Sequence, residues 1–298
     1  VAAVCGTVAL VLGSNDGHPE YREWPWPVSL VFLAALVVTA WNLIGTVARR
    51  STEDIYLSNW YTIGGVLWTC IIAVVAILPW YQYGLGQVSV SGYYMHNAVG
   101  MWFTPLALGI FYYALPRLLN RPIYSYALGV FAFWTNLVFY PIIGAHHFLF
   151  SPLPWWLQTT AIVFSVAMLV PVWGSSANFV LTMRGRSHDL AHSYPLMFIF
   201  VGVIGYLVGS TQGTFEAFRS LQELWHLINF TVGHSHLTMY GFVTFAIGDG
   251  VSALLPRATR QETGHPALML HFWTSHAWSV FYLLSLSVAG PVPGTVGA

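Results

Sequence analysis

The chain has 298 residues, 56% of them hydrophobic and 7% charged, and its ten acidic and ten basic residues balance to a formal net charge of zero. So few charges cannot dress a water-soluble surface of this size, and a neutral balance gives no footing for nucleic acid. The composition suits a bilayer as solvent.

The chain opens on an apolar run, residues 1–12, about half the length needed to cross a membrane. It reads as the end of a further helix, so the N-terminus is expected to be incomplete. The C-terminus, which stops at Gly297 and Ala298 just after an apolar segment, is expected to be incomplete as well. After the polar stretch 13–23, apolar runs of about 20 residues predict eight complete spans: 27–48, 61–80, 95–116, 124–146, 156–182, 196–214, 226–255 and 270–289. The stretch 82–94, rich in Gly, Ser and Val, reads as a loop or an irregular helix entry. With no long polar linker, low-complexity segment or short repeat, residues 1–298 are expected to form one domain, an all-α polytopic transmembrane helix bundle.

All ten basic residues are arginine, and eight fall in alternate loops: Arg49 and Arg50, Arg117 and Arg121, Arg184 and Arg186, Arg257 and Arg260. The positive-inside rule puts those loops in the cytoplasm and the loops with Arg22 and Arg219 outside. One missed or invented span would scramble the alternation, so it checks the span assignment independently.

Cys5 and Cys70 stand far apart in apolar stretches and form neither CxxC nor CxxCH, which excludes covalent heme attachment and a thiolate zinc site on these residues.

The twelve histidines are informative through their placement. His18, His188, His192 and His265 sit in loops or at helix ends, where a solvated imidazole needs no explanation, and His271 and His276 read as structural or water-facing. The others lie within or at the outer ends of spans, where an ionisable side chain is costly and marks function by default. His96 opens its span, His146 and His147 close theirs, and His234 and His236 lie eight to ten positions inside theirs, about 12 to 15 Å deep. Imidazoles from three spans are thus expected to converge on the outer half of the membrane, a donor set suited to copper or iron. The plain alternative is one interhelical hydrogen bond for each histidine. His234 and His236, about 200° apart around one helix, point to opposite faces and can serve two centres but not one. Fourteen Trp, nineteen Phe and sixteen Tyr suit flat macrocycles and interfacial belts alike. Tyr140, seven residues before His147, is expected to share its face in a regular helix, about 10 Å away along the axis; a phenol there can supply a proton and an electron during dioxygen cleavage.

The motifs HNAVG at His96 to Gly100, RPIYSY at Arg121 to Tyr126, FYPIIGAHH at Phe139 to His147 and VGHSH at Val232 to His236 resemble the main subunit of the heme-copper oxidase superfamily, and most closely its C-family, the cbb3-type cytochrome c oxidases. The resemblance implies a family fold of twelve helices, of which terminal ones are expected to lie outside this chain. The resemblance implies that His96, His146 and His147 ligate the copper CuB. It implies that His234 is the proximal ligand of a high-spin heme and His236 an axial ligand of a low-spin heme, both hemes b-type and non-covalently held. Tyr140 matches the tyrosine joined in that family to a copper-ligating histidine, Tyr206 and Tyr126 match tyrosines of a proton path from the inner side, and His226 matches a histidine near the heme propionates. The implied partners are lipid, other oxidase subunits including c-type cytochromes, and dioxygen, in a bacterial cytoplasmic membrane.

Three positions depart from the pattern. Gly129 and Ala132 replace polar proton-path positions, and Gln212 stands where a glutamate is usual. The second ligand of the low-spin heme lies upstream of this chain in the family. Two other functions compete with dioxygen reduction. Nitric oxide reductases share the histidines but bind non-heme iron with a glutamate on the first histidine's helix; here the residue one turn after His96 is Gly100. A two-heme electron-transfer cytochrome has no use for an adjacent histidine pair or for Tyr140.

Overall fold

The computed structural model describes residues 1–15, 22–78, 83–226, 228–261 and 264–289; His18 lies outside them. Among the described residues the chain is helical throughout, without strands. In order it forms α1 (Ala2–Val11), α2 (Trp26–Ala48), α3 (Leu57–Ile77), α4 (Gly84–Asn97), α5 (Thr104–Leu118), α6 (Tyr126–Phe139), α7 (Trp155–Ala167), α8 (Leu169–Met183), α9 (Ser187–His192), α10 (Tyr194–Glu216), α11 (Arg219–Trp225), α12 (Asn229–Thr238), α13 (Thr244–Thr259) and α14 (His265–Ala289).

Seven stretches among the described residues are long and apolar enough to cross a bilayer, and they match the first seven expected spans. The eighth, α14, has the length, 25 residues. Its polar positions His271, Thr274, Ser275, His276 and Ser279 dilute its apolar character, which is why its hydropathy falls short. Of the two readings of the stretch 82–94, the loop fails and the helix entry holds: residues 84–94 are the first turns of α4, in regular α geometry, so the third span runs Gly84–Leu118, 35 residues. Gly and Ser weaken intrinsic helix propensity there, and burial of Val90, Ser91 and Gly92 overrides it.

Three segments depart from α geometry. Residues Ala98–Phe103, between α4 and α5, and Met239–Val243, between α12 and α13, are π-helical. In each, the threonine that follows bonds the carbonyl five residues back, Thr104 to Val99 and Thr244 to Met239, through its backbone N–H and its hydroxyl, at 3.5 and 3.0 Å. Pro105 lacks the N–H that an α-helix would direct to Met101, which accounts for the first bulge. The third segment, Tyr140–Phe148, is a nine-residue 3-10 helix that starts at Pro141's turn, far longer than such runs usually are.

The described residues divide into two compact units, Val1–Leu106 with Leu137–Phe164, and Ala107–Asn136 with Ser165–Ala298. In the first, α2 packs on α3 and α4 packs on the 3-10 helix. Arg22, in the α1–α2 connection, is buried and donates to the Ala76 carbonyl near the end of α3 at 3.0 Å; loss of hydration lowers its pKa. In the second, α10 is the central helix, in contact with α8, α12, α13 and the π turn between them. Its glycines make this possible: a Cβ at Gly205 would strike the Gly241 carbonyl, and one at Gly202 the Phe111 ring. Here the Arg121 guanidinium donates to the Arg184 carbonyl at 3.1 Å and Arg186 to the Leu119 carbonyl at 3.5 Å. Two of the arginine-bearing loops therefore lie side by side, as their alternation along the chain requires.

Candidate metal centre

The first unit gathers His96, His146 and His147, whose ligating nitrogens all lie within 4.8 Å of one another. Helix α4 and the π-helical segment that continues it present Gly92, His96 and Gly100 about one turn apart along one side. The 3-10 helix runs along that face. With three residues per turn, Gly144 and His147 fall in one column. Gly144 and Gly92 meet backbone to backbone, so that a Cβ on Gly144 would come within 2.9 Å of the Gly92 carbonyl. One turn along each helix, His96 Nδ1 and His147 Nε2 are 2.9 Å apart. The His146 ring stands edge-on to both neighbours, with centroids 4.8 Å from His96 and 4.4 Å from His147. The glycine pair sets the helix separation, and the separation brings the imidazoles together.

Tyr140 lies elsewhere than a regular helix predicts. Its ring stacks on His96, centroids 4.2 Å apart and planes 20° from parallel, over Gly100, where a Cβ would fall on the phenol itself. The expected shared face with His147 is lost because a 3-10 helix advances about 120° per residue rather than about 100°, turning position 140 away from 147 and toward α4. His96 also does not open its span. It is twelve residues into the helix that starts at Gly84 and is buried.

These residues fit a soft or borderline cation. The donors are three imidazoles with no carboxylate in the group, a set suited to copper. The hydrogen bond between His96 and His147 occupies a point where a bound ion would replace the shared proton. Two nitrogens on one ion at about 2.0 Å sit at most about 4 Å apart, so ring rotations of about 1 Å complete the site. Beside it, Asn97 donates to the Tyr93 carbonyl at 2.7 Å while its own Oδ1 is buried without a hydrogen-bond partner.

In the second unit, His234 and His236 point to opposite sides of α12. The His234 ring lies against α10 at Gly213, where a Cβ would come within 2.8 Å of its Nε2. Its Nδ1 is buried with no hydrogen bond of ordinary geometry, beside the Gly209 backbone. His236 faces α14, edge-on to Tyr282 at 5.1 Å and stacked near Tyr240. Its Nδ1 donates to the Val232 carbonyl at 2.7 Å, the arrangement that leaves Nε2 as a lone-pair donor for a metal. Because α12 begins at Asn229 rather than His226, the two histidines sit about 8 to 11 Å inside their helix, shallower than expected. His226 caps α11, outside any span.

Tyr206 is buried on α10 with its ring 4.8 Å from Phe242, and Tyr126 opens α6, 44% exposed. Gly129 and Ala132 are buried, Ala132 completely, on the α6 face that packs at Gly174 of α8. Gln212 is not isolated from a carboxylate: its amide donates to Glu216, one turn on and buried, at 3.2 Å. Glu216 and the fully buried Asp249 were missed at the sequence level. Their signal was present, since an acid at the end of one span and another within the next are both uncommon.

Helices long and apolar enough to cross a membrane, three imidazoles brought together and a phenol stacked on one of them define a polytopic membrane protein with a histidine group fit to hold a metal. Within that class the match is specific: the model for cytochrome c and quinol oxidase polypeptide I covers residues 1–296, and the chain belongs to that family, subunit I of the heme-copper oxidases. It is 31% identical over 298 residues to the cbb3-type cytochrome c oxidase subunit CcoN1 of Stutzerimonas stutzeri, covering 96% of this chain and 63% of that one. It is 29% identical over 308 residues to cytochrome c oxidase subunit 1 of Rhodobacter capsulatus, covering 98% and 57%. The fold matches a heme-copper terminal oxidase solved by cryo-electron microscopy with a TM-score of 0.78 at 15% identity, over 99% of this chain and 59% of that one. The chain thus spans somewhat over half the length of such relatives.

Proposed function

We propose that this chain forms the core of a cbb3-type terminal oxidase, which reduces dioxygen to two waters with four electrons and four protons. Electrons come from cytochrome c through partner subunits and a low-spin heme, and protons are taken up from the inner side of a bacterial cytoplasmic membrane, with pumping as a further coupling. The observation that carries this reading is the cluster of His96, His146 and His147 with Tyr140 stacked upon it. The three imidazoles would hold copper and His234 would bind the iron of a high-spin b-type heme, and these groups would supply the electrons and open coordination positions that dioxygen requires. His236, with Nδ1 committed to Val232, is suited to be one axial ligand of a low-spin b-type heme. Tyr140, stacked on the His96 ring, would supply a phenolic proton, Tyr126 and Tyr206 would serve proton entry and transfer, and His226 would contact the heme propionates.

The absence of a carboxylate from the histidine group favours copper over the non-heme iron of a nitric oxide reductase. Membranes containing the complex are expected to consume oxygen in a cyanide-sensitive way. Replacing His147 by Ala should abolish that consumption, and undiminished turnover in this variant would refute the copper assignment.

A further inference from the structure

Helix α13 and the π turn before it bury one stripe, formed by Phe242, Phe245, Ala246, Asp249 and Ser252, spaced as one helix face. Asp249 is fully buried in it, and neither carboxylate oxygen has a hydrogen-bond partner among the described residues. The histidines of α14 do not supply one; His271 and His276 make ring contacts with Phe198 and Phe245 instead. An ionised carboxylate without a partner is too costly at this depth, and an acid that persists there marks a function.

Helix α10 runs antiparallel beside this stripe, with Gly209 against Thr238, Gly202 against Phe245, and Phe198 against Gly248. Tyr206 of α10 rests on Phe242, seven residues before Asp249 on the same face, about 10 Å away along the axis. Ser252 follows one turn later, toward the helix end that leads to Arg260. Tyr206, Asp249 and Ser252 are thus polar groups spaced along one seam, Asp249 and Ser252 a helical turn apart and Tyr206 at a distance from Asp249 that a chain of about two or three waters would span.

We propose that Asp249 is a proton carrier between the arginine-bearing end of α13 and Tyr206. It gives up its carboxyl proton through water toward Tyr206 and takes another from the inner side, with no net electron movement. The proposal rests on the proton-uptake reading above.

The test compares the purified complex with its Asp249→Asn and Asp249→Glu variants. Asn is isosteric and removes an unpartnered acid, so a merely structural position should tolerate it. Expected are unchanged heme spectra and thermal midpoint, a tenfold or greater fall in oxygen consumption and in proton uptake followed with a pH-indicator dye, and recovery to at least a third of wild type with Glu. The redox infrared difference spectrum should contain a carboxylic C=O band that Asn removes. An Asn variant within twofold of wild type in both rates overturns the proposal alone, whereas a wild-type complex that consumes no oxygen overturns the oxidase reading and this proposal together. If the Asn variant does not assemble, the infrared spectra of wild type and Glu decide: a C=O band that shifts between them supports the carrier, and identical spectra overturn it.

Discussion

The Tyr140 ring lies on the imidazole of His96, with centroids 4.2 Å apart and the planes within 20° of parallel. The contact joins a residue at the start of the 3-10 helix to one in the middle of a membrane span, and places a phenol against the histidine cluster. Replacing Tyr140 by Phe keeps the stack and deletes only the hydroxyl. Metal content should therefore stay at the wild-type level, while oxygen reduction falls by about a hundredfold or more, in the range expected for losing a proton donor. Metal analysis and an oxygen electrode on the same preparation separate the two effects; equal activity of the variant would remove Tyr140 from the chemistry.

Gly100 makes the stack possible, because a Cβ there would occupy the phenol's position. Gly100→Ala gains about 0.5–1 kcal/mol in helix propensity and loses about 1–3 kcal/mol to overpacking. A modest net loss of stability is expected, with oxygen consumption down at least tenfold as Tyr140 is displaced. In a double-mutant cycle, Tyr140→Ala should relieve the clash, giving a non-additive stability change. Additive changes would show that the two residues do not compete for the same space.

Much of this architecture was legible in the chain. Seven spans follow from apolar runs alone, and the alternate placement of arginines agrees with Arg121 and Arg186 meeting the neighbouring loop. The opposed faces of His234 and His236 follow from helical period. What was not legible depends on tertiary contact. The start of α4 is poor in helix formers and becomes helical through packing at Gly92 and Gly144. The run through Tyr140 and His147 read as a regular helix, and nothing in its apolar pattern revealed that the nine residues Tyr140–Phe148 would tighten into a 3-10 helix and redirect the phenol to His96. Glu216 stands at the end of its span, where an acid reads as part of a solvated loop until the fold buries it beside Gln212 one turn away.

His236 offers a separable test of the heme assignments. Its Nδ1 is held by Val232 and its ring by Tyr240 and Tyr282, so His236→Ala removes the proposed, preoriented heme ligand and leaves the residues of the histidine cluster unchanged. The absorption bands of the low-spin heme should vanish while copper per chain is retained. Intact low-spin bands would mean that the iron is bound by other residues.

A stability prediction concerns Asn178 of α8, fully buried. Its side chain accepts from the Ser125 N–H and donates to the Ser125 carbonyl, each at 2.9 Å, with the Tyr112 hydroxyl at 3.4 Å. It thereby satisfies the Ser125 N–H, which no α-helical partner serves, and adds a second bond to the Ser125 carbonyl, which also accepts from the Gly129 N–H at 3.2 Å. Asn178→Ala leaves the Ser125 N–H unpaired and should cost about 1–3 kcal/mol, read as a lower unfolding midpoint in detergent with oxygen turnover per folded complex unchanged. An unaltered midpoint would show that water replaces the amide freely.

The most direct test of the account is X-ray absorption at the copper edge on the purified complex, combined with metal quantitation. The account predicts one copper per chain, with a first shell of imidazole nitrogens at about 2.0 Å that loses ligands in the His96→Ala and His147→Ala variants. A complex without copper, or with a non-heme iron in its place and oxygen ligands in its first shell, would contradict it.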